Sequence, residues 1–146
     1  MMRVYLDNCV FNRPYDVPSN VRISNEAAAK MHIQQLIETR NLEMVVSYAL
    51  VFENSRCPNP AAKEYNLGFM RRNCVQYIGP DKIDSLKPLV EEIMSKGIKM
   101  PDATHIVCAI EGKCDYLITA DDKMLKYKDP RIKIISPTEM LYLMEV

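Results

Sequence analysis

The feature that most constrains this chain is a regular alternation. Short apolar, β-favouring runs take turns with segments of helical period from one end to the other. The runs are Val4-Tyr5-Leu6, Met44-Val45-Val46, Val75-Gln76-Tyr77-Ile78, Tyr116-Leu117-Ile118-Thr119 and Ile132-Lys133-Ile134-Ile135. Strands this apolar are buried on both faces, and strands joined through helices pair in parallel. Between them, Ser24 is the expected cap of a helix from Glu26 to about Thr39, with Ala29, Ile33, Leu36 and Ile37 facing inward. Ser47 caps a short helix from Tyr48 to Asn54. Asn59 as cap and Pro60 at the first helical position start another, which carries Arg71 and Arg72; the missing proline N–H costs nothing there. Leu86, Leu89, Val90 and Ile93 mark a helix ending near Gly97, with Pro88 in its first turn or at a kink. Ala103, Ile106, Val107 and Ile110 share one helix face, Gly112 closes that helix, and Pro137 opens a last one. Asn12 to Asn20, rich in Pro and Asn, reads as a loop.

In open parallel sheets, ligands bind at the carboxyl ends of the strands. Asp7 follows the first strand, and Asp121 and Asp122 follow the fourth. Glu53 lies on the helix after the second strand, and Asp102 at the start of the helix before the fourth. If strands one and four are neighbours, these carboxylates share one end of the sheet. Clustered carboxylates repel unless a cation sits among them. All-oxygen ligands favour Mg²⁺ or Mn²⁺, which activates water and steadies charge on phosphoryl oxygens. Phosphate-ester chemistry is the reading that follows, although a single strand-end Asp is often only a helix cap.

Other chemistries lose ground on what is missing. Only two histidines, His32 and His105, are present, too few for a histidine-rich zinc site. Glycine numbers four, and neither phosphate-cradling glycine motif nor a nucleophile elbow occurs. Five cysteines without a close Cys pair read as reduced, mostly buried thiols. Lys plus Arg and Asp plus Glu both number 19, so nucleic acid must be met by a local patch rather than a net positive field. A length of 146 residues fits a single domain, 1–146. The N-terminus reaches Asp7 too early for a secretory leader, and no apolar run approaches the ~20 residues of a membrane span. The chain is expected to be soluble and cytoplasmic.

The acidic segments resemble the motifs of the PIN-domain family. Its opening strand and Asp stand here as Val4-Tyr5-Leu6-Asp7-Asn8, and its second acid as Glu53 in Ser47-Tyr48-Ala49-Leu50-Val51-Phe52-Glu53. Its third motif stands as Asp102-Ala103-Thr104-His105-Ile106-Val107-Cys108-Ala109, and its fourth as Asp115-Tyr116-Leu117-Ile118-Thr119-Ala120-Asp121. The resemblance runs from residue 2 to about residue 137, in the family's order and spacing. It implies an α/β three-layer sandwich with a central parallel sheet of four to five strands flanked by helices. It also implies a Mg²⁺- or Mn²⁺-dependent endoribonuclease whose metal is held by Asp7, Glu53, Asp102 and Asp121. Many small members are toxins of toxin–antitoxin pairs, commonly homodimers held inactive by an antitoxin protein.

Two positions depart from the family pattern. Asn8 stands where Thr or Ser is usual, and Asp121 is followed by a second acid, Asp122, which is either an extra ligand or an exposed cap. Asn8, Thr119, Asp122 and Arg13 are the expected supporting or substrate-contacting residues. Thr119 in particular is placed to orient a ligating carboxylate. His105, one turn beyond Asp102, reads as a packed, hydrogen-bonded residue, and Arg13, Arg56, Arg71 and Arg72 as solvated charges from which one or two RNA contacts are drawn. The rival reading is a catalytically weak PIN-fold module that binds RNA or protein. A receiver-like phosphoacceptor domain is disfavoured, because the third strand ends in Gly79-Pro80 with no acceptor Asp.

Overall fold

The computed structural model describes residues 1–12 and 21–144. Its first half comprises β1 (Arg3–Leu6), α1 (Asn8–Phe11), α2 (Val21–Glu38), β2 (Glu43–Ser47), α3 (Tyr48–Ser55), α4 (Pro60–Asn73) and β3 (Cys74–Ile78). A 3-10 turn at Pro80–Lys82 leads into α5 (Ile83–Met94), followed by α6 (Met100–Glu111), β4 (Tyr116–Ile118), α7 (Asp122–Lys126), β5 (Lys133–Ile135) and α8 (Pro137–Met144).

The strands form one sheet in the order β3-β2-β1-β4-β5, with every neighbouring pair parallel. The first crossovers carry the chain outward from β1 to β2 to β3, and the later ones return it to β4 and on to β5. Right-handed connections then set the two groups of crossover helices on opposite faces of the sheet. The result is the three-layer α/β sandwich expected from the strand and helix alternation. β1 and β4 are neighbours at the point where the strand order reverses.

Burial explains which runs became strands. Val4, Tyr5 and Leu6 of β1 and Met44, Val45 and Val46 of β2 lie in the core, as do Leu117 and Ile118 of β4. β3, at the edge, alternates instead and exposes Val75 and Tyr77. Two of the three expected caps are present. Ser47 Oγ accepts from the Leu50 N–H at 3.2 Å and Asn59 Oδ1 from the Ala62 N–H at 3.1 Å. Gly97, at φ +95°, ends the turn after α5 in a conformation that side chains rarely adopt. Gly112 caps α6 where a Cβ would stand 2.7 Å from Val45 Cγ1.

Several expectations need correction. α2 begins at Val21, so Ser24 lies within the helix and does not cap it. The inner side of α2 carries Glu26, Lys30 and Gln34 among Ala29, Ile33 and Ile37, so its burial pattern is only partly apolar. Lys30 lies with its ammonium 5.6 Å from the Tyr65 ring centroid, and burial pulls it down to about 8. Pro88 sits in the second turn of α5, not the first. α1 and α7 were not anticipated as helices. All five cysteines are free, but only Cys108 and Cys114 are fully buried. Among the described residues no helix is long and apolar enough to cross a membrane. Arg13 and most of the Asn12–Asn20 loop lie outside the described residues.

Candidate active site

The switch in strand order builds the site. Tyr5 pairs with Leu117 and Leu6 with Ile118, and the Asp7 N–H continues the ladder to the Ile118 carbonyl at 2.9 Å. Asp7 and Thr119 therefore leave the sheet side by side. Asp7 is only 6% exposed, and both of its oxygens are held. Oδ1 accepts the Asn8 N–H at 2.8 Å and so caps α1. Oδ2 accepts the Thr119 hydroxyl at 2.8 Å and the Cys9 thiol at 3.2 Å. Thr119 Oγ1 in turn accepts the Asp121 N–H at 3.1 Å, and Cys9 Sγ accepts the Ala120 N–H at 3.3 Å. Burial and the Asp7 charge push the Cys9 thiol up to about 12, so it remains a donor to that carboxylate.

Glu53, on α3, meets His105, on α6. His105 Nε2 lies 2.6 Å from Glu53 Oε1 and 3.8 Å from Asp7 Oδ1. On the far side of the ring, Nδ1 lies 2.6 Å from the Tyr5 hydroxyl, which lies 2.6 Å from Ser47 Oγ. A neutral imidazole satisfies this chain in one sense: Ser47 donates to Tyr5, Tyr5 to Nδ1, and Nε2–H to Glu53. Burial, together with nearby negative charge, raises Tyr5 far above its usual range and keeps its proton on. For His105, burial pulls the pKa down, but the Glu53 hydrogen bond and the charges of Asp7, Glu53 and Asp102 overcome it, and the net shift is upward.

Asp102 occupies the first turn of α6. Burial raises its pKa first, followed by the negative charges of Asp7 and Asp121, with Glu53 adding to them and His105 opposing. It lines one cleft together with Asp121, Asp122, Lys99 and Lys123. Asp121 turns one oxygen to cap α7, accepting the Lys123 N–H at 2.8 Å. Asp122 forms a two-pronged pair with Arg22: Nη2 to Oδ1 at 2.8 Å and Nη1 to Oδ2 at 3.1 Å. The Arg22 bonds hold the Asp122 carboxyl below the usual carboxylate range. Asn8 is half-buried, and its buried Oδ1 has no hydrogen-bond partner among the described residues.

Candidate ligand atoms of Asp7, Glu53 and His105 all lie within 4.8 Å of one another. Asp102 and Asp121 stand outside that tight group, though close enough for their charges to be felt. Among the described residues no Lys or Arg forms an ion pair with Asp7, Glu53, Asp102 or Asp121. Carboxylate oxygens that no described Lys or Arg pairs with, and one imidazole nitrogen beside them, form a donor set that could hold a metal ion. His105, one turn beyond Asp102, was expected to be packed and hydrogen-bonded, and it is, with Glu53 as one partner. One member of the site escaped the sequence reading. Cys9 carried no signal at all.

No family model matches the sequence, and neither does any curated protein. Solved structures do match in fold. A chain of VapBC2 from Rickettsia felis, bound to a DNA fragment from its promoter, aligns over 92% of this chain and 98% of its own, with a TM-score of 0.56 and 16% identity. The fold is the PIN fold. A chain of FitAB bound to an IR36 DNA fragment aligns over 92% and 94%, with a TM-score of 0.56 and 14% identity. FitAcB from Neisseria gonorrhoeae aligns over 92% and 98%, with a TM-score of 0.53 and 14% identity. Within the PIN fold, the acidic cluster described above occupies the carboxyl end of the sheet at its topological switch.

Proposed function

We propose that this chain is a single-domain, metal-dependent endoribonuclease of the cytoplasm that hydrolyses RNA phosphodiester bonds. The observation that carries this reading is the pairing of buried Asp7 with Glu53, each oriented by its own hydrogen-bond partners, in a carboxylate cluster with which no described Lys or Arg forms an ion pair. Asp7 and Glu53 would hold the metal, with Asp102 and Asp121 completing its surroundings. When bound, such a metal supplies positive charge against phosphoryl oxygens and lowers the pKa of water.

The chain's own residues do the rest. Thr119, Cys9 and the Asn8 N–H fix the Asp7 carboxylate, so little orientational freedom is left to lose when a cation arrives. His105 holds Glu53 by one oxygen and leaves the other free. Asp102, whose pKa is raised by burial and its acidic neighbours, carries a charge that an incoming cation would stabilise. We further infer that the protein acts as the toxin of a toxin–antitoxin pair, as a homodimer restrained by a protein partner. The similar VapBC2 and FitAB structures, both bound to DNA fragments, support that reading through their shared fold.

The test is cleavage of structured and unstructured RNAs with Mg²⁺, with Mn²⁺ and with EDTA, with an Asp102→Asn variant alongside. Metal-dependent cleavage that falls at least about a hundredfold in the variant is expected. Cleavage unchanged by Asp102→Asn would refute the assignment of the site. No cleavage with either metal, by folded protein free of any partner, would move the reading to a binding module.

A further inference from the structure

Beside the carboxylates a cleft of about 770 Å³ opens between α3, α5 and α6. Asn8, Glu53 and His105 form part of its wall, so it is continuous with the acidic site. Its other walls are largely apolar, from Tyr48, Phe52, Ile83, Val90 and Met100. Phe52 is 60% exposed, an unusual position for an aromatic ring, and the Arg56 guanidinium lies 5.8 Å from its centroid. Arg56 and Lys87, both exposed, also line the cleft, as does the exposed acid Asp84.

We propose that this cleft is a nucleobase subsite. It takes the unpaired base of the RNA nucleotide next to the scissile phosphate, and it rests on the ribonuclease reading above. The base stacks on Phe52, and Arg56 and Lys87 meet the next phosphate. The kinds of group in the cleft match the parts of a nucleotide strand. An acidic, cation-seeking end takes one phosphate, an apolar slot with an open aromatic face takes a base, and cationic side chains take the following phosphate. The volume falls in the range of about 300–1,000 Å³ typical of small-ligand sites. A protein helix laid over the same surface would have to supply acids for Arg56 and Lys87. A base in a duplex cannot reach the slot, so single-stranded or bulged RNA is the substrate class implied.

The experiment compares kcat/KM for wild type, Phe52→Ala and Phe52→Trp on a single-stranded oligoribonucleotide and on versions with an abasic residue on either side of the cut. Thermal melts verify that the exposed-site variants are folded. Phe52→Ala is expected to lose about tenfold or more on the intact oligonucleotide, and one abasic position to cost wild type a similar factor. The two losses should not multiply when combined, and Phe52→Trp should restore cleavage. Wild-type cleavage by Phe52→Ala, or losses that multiply, would overturn the subsite, whether or not the variant has lost affinity for a protein partner. If wild type cleaves no RNA at all, the ribonuclease reading fails separately. The subsite is then decided by binding of a 2-aminopurine oligoribonucleotide. Fluorescence quenching that Phe52→Ala abolishes supports it, and equal quenching overturns it.

Discussion

Two carboxylates, Asp102 and Asp129, experience opposite electrostatic surroundings within one small fold. Asp129 lies against Arg131, whose Nε and Nη2 reach its two oxygens at 2.9 and 2.8 Å. The Tyr127 hydroxyl donates to it at 2.7 Å and the Arg131 N–H at 2.9 Å, while Arg131 also reaches Glu92 at 2.9 Å. The Arg131 bonds outweigh burial and hold the Asp129 carboxyl far below its ordinary range. Asp102 has burial and three like charges against it, with only His105 in its favour, and its carboxyl is raised. The first arrangement is complete as it stands and serves the fold. The second carries a standing cost, of the kind that functional sites accumulate because a ligand relieves it.

Stability against pH gives the largest test of that contrast. Asp129→Asn is expected to lose about 1–3 kcal/mol at neutral pH, or roughly 5 °C in Tm, while leaving metal-dependent cleavage intact. Because the folded carboxyl titrates below the unfolded one, its contribution is whole above about pH 4 and drains away as pH falls further. The deficit of the variant should therefore shrink in acid, as followed by thermal melts across pH. A constant deficit would show that the pair acts by packing alone.

Asp102→Asn should do the reverse on a smaller scale. The folded carboxyl titrates above the unfolded one, so its cost is whole at neutral pH and vanishes as pH falls through about 4. Without divalent metal, the variant should melt about 1–2 °C higher than wild type near pH 7, and Mn²⁺ should reverse the order. Equal melting with and without Mn²⁺ for both proteins would remove the case for a cation among these acids. The smallest effect belongs to Asp122. Its pair with Arg22 is exposed, so Asp122→Ala should shift Tm by no more than about 2 °C and leave cleavage within about threefold of wild type. A large loss of cleavage would place Asp122 among the metal's ligands after all.

The parts of this architecture that were legible in the sequence are those that local chemistry dictates. Val4-Tyr5-Leu6 and Met44-Val45-Val46 could only be buried strands. Ser47 and Asn59 announced their helices because a cap acts within three residues. α1 was illegible because one turn of helix has no period to detect. The start of α2 was misplaced because Ser24 is as compatible with a helix surface as with a cap, and because Glu26, Lys30 and Gln34 interrupt its apolar stripe. In the site, Asp7 and Asp121 were visible as strand-end residues, and Glu53 and Asp102 as acids on neighbouring helices. Their supports were less so: Tyr5, Ser47 and Glu53 lie on three elements that only the tertiary fold brings to His105. Thr119 was anticipated from its strand-end position, whereas Cys9 looked like any small apolar residue.

The Ser47–Tyr5–His105–Glu53 chain has a consequence for how this protein can vary. Tyr5 reaches His105 only because it stands opposite Val45 and Leu117 in the sheet. Strand side chains alternate between faces, so a single residue inserted or deleted between Arg3 and Asp7 would swing Tyr5 to the other face and leave Nδ1 of His105 without its donor. The same slip would carry Asp7 away from Thr119. The length of β1 is thus a ruler for the chemistry, fixed to the residue, while turns at the opposite end of the sheet, such as Arg40 to Leu42, can change length without disturbing it.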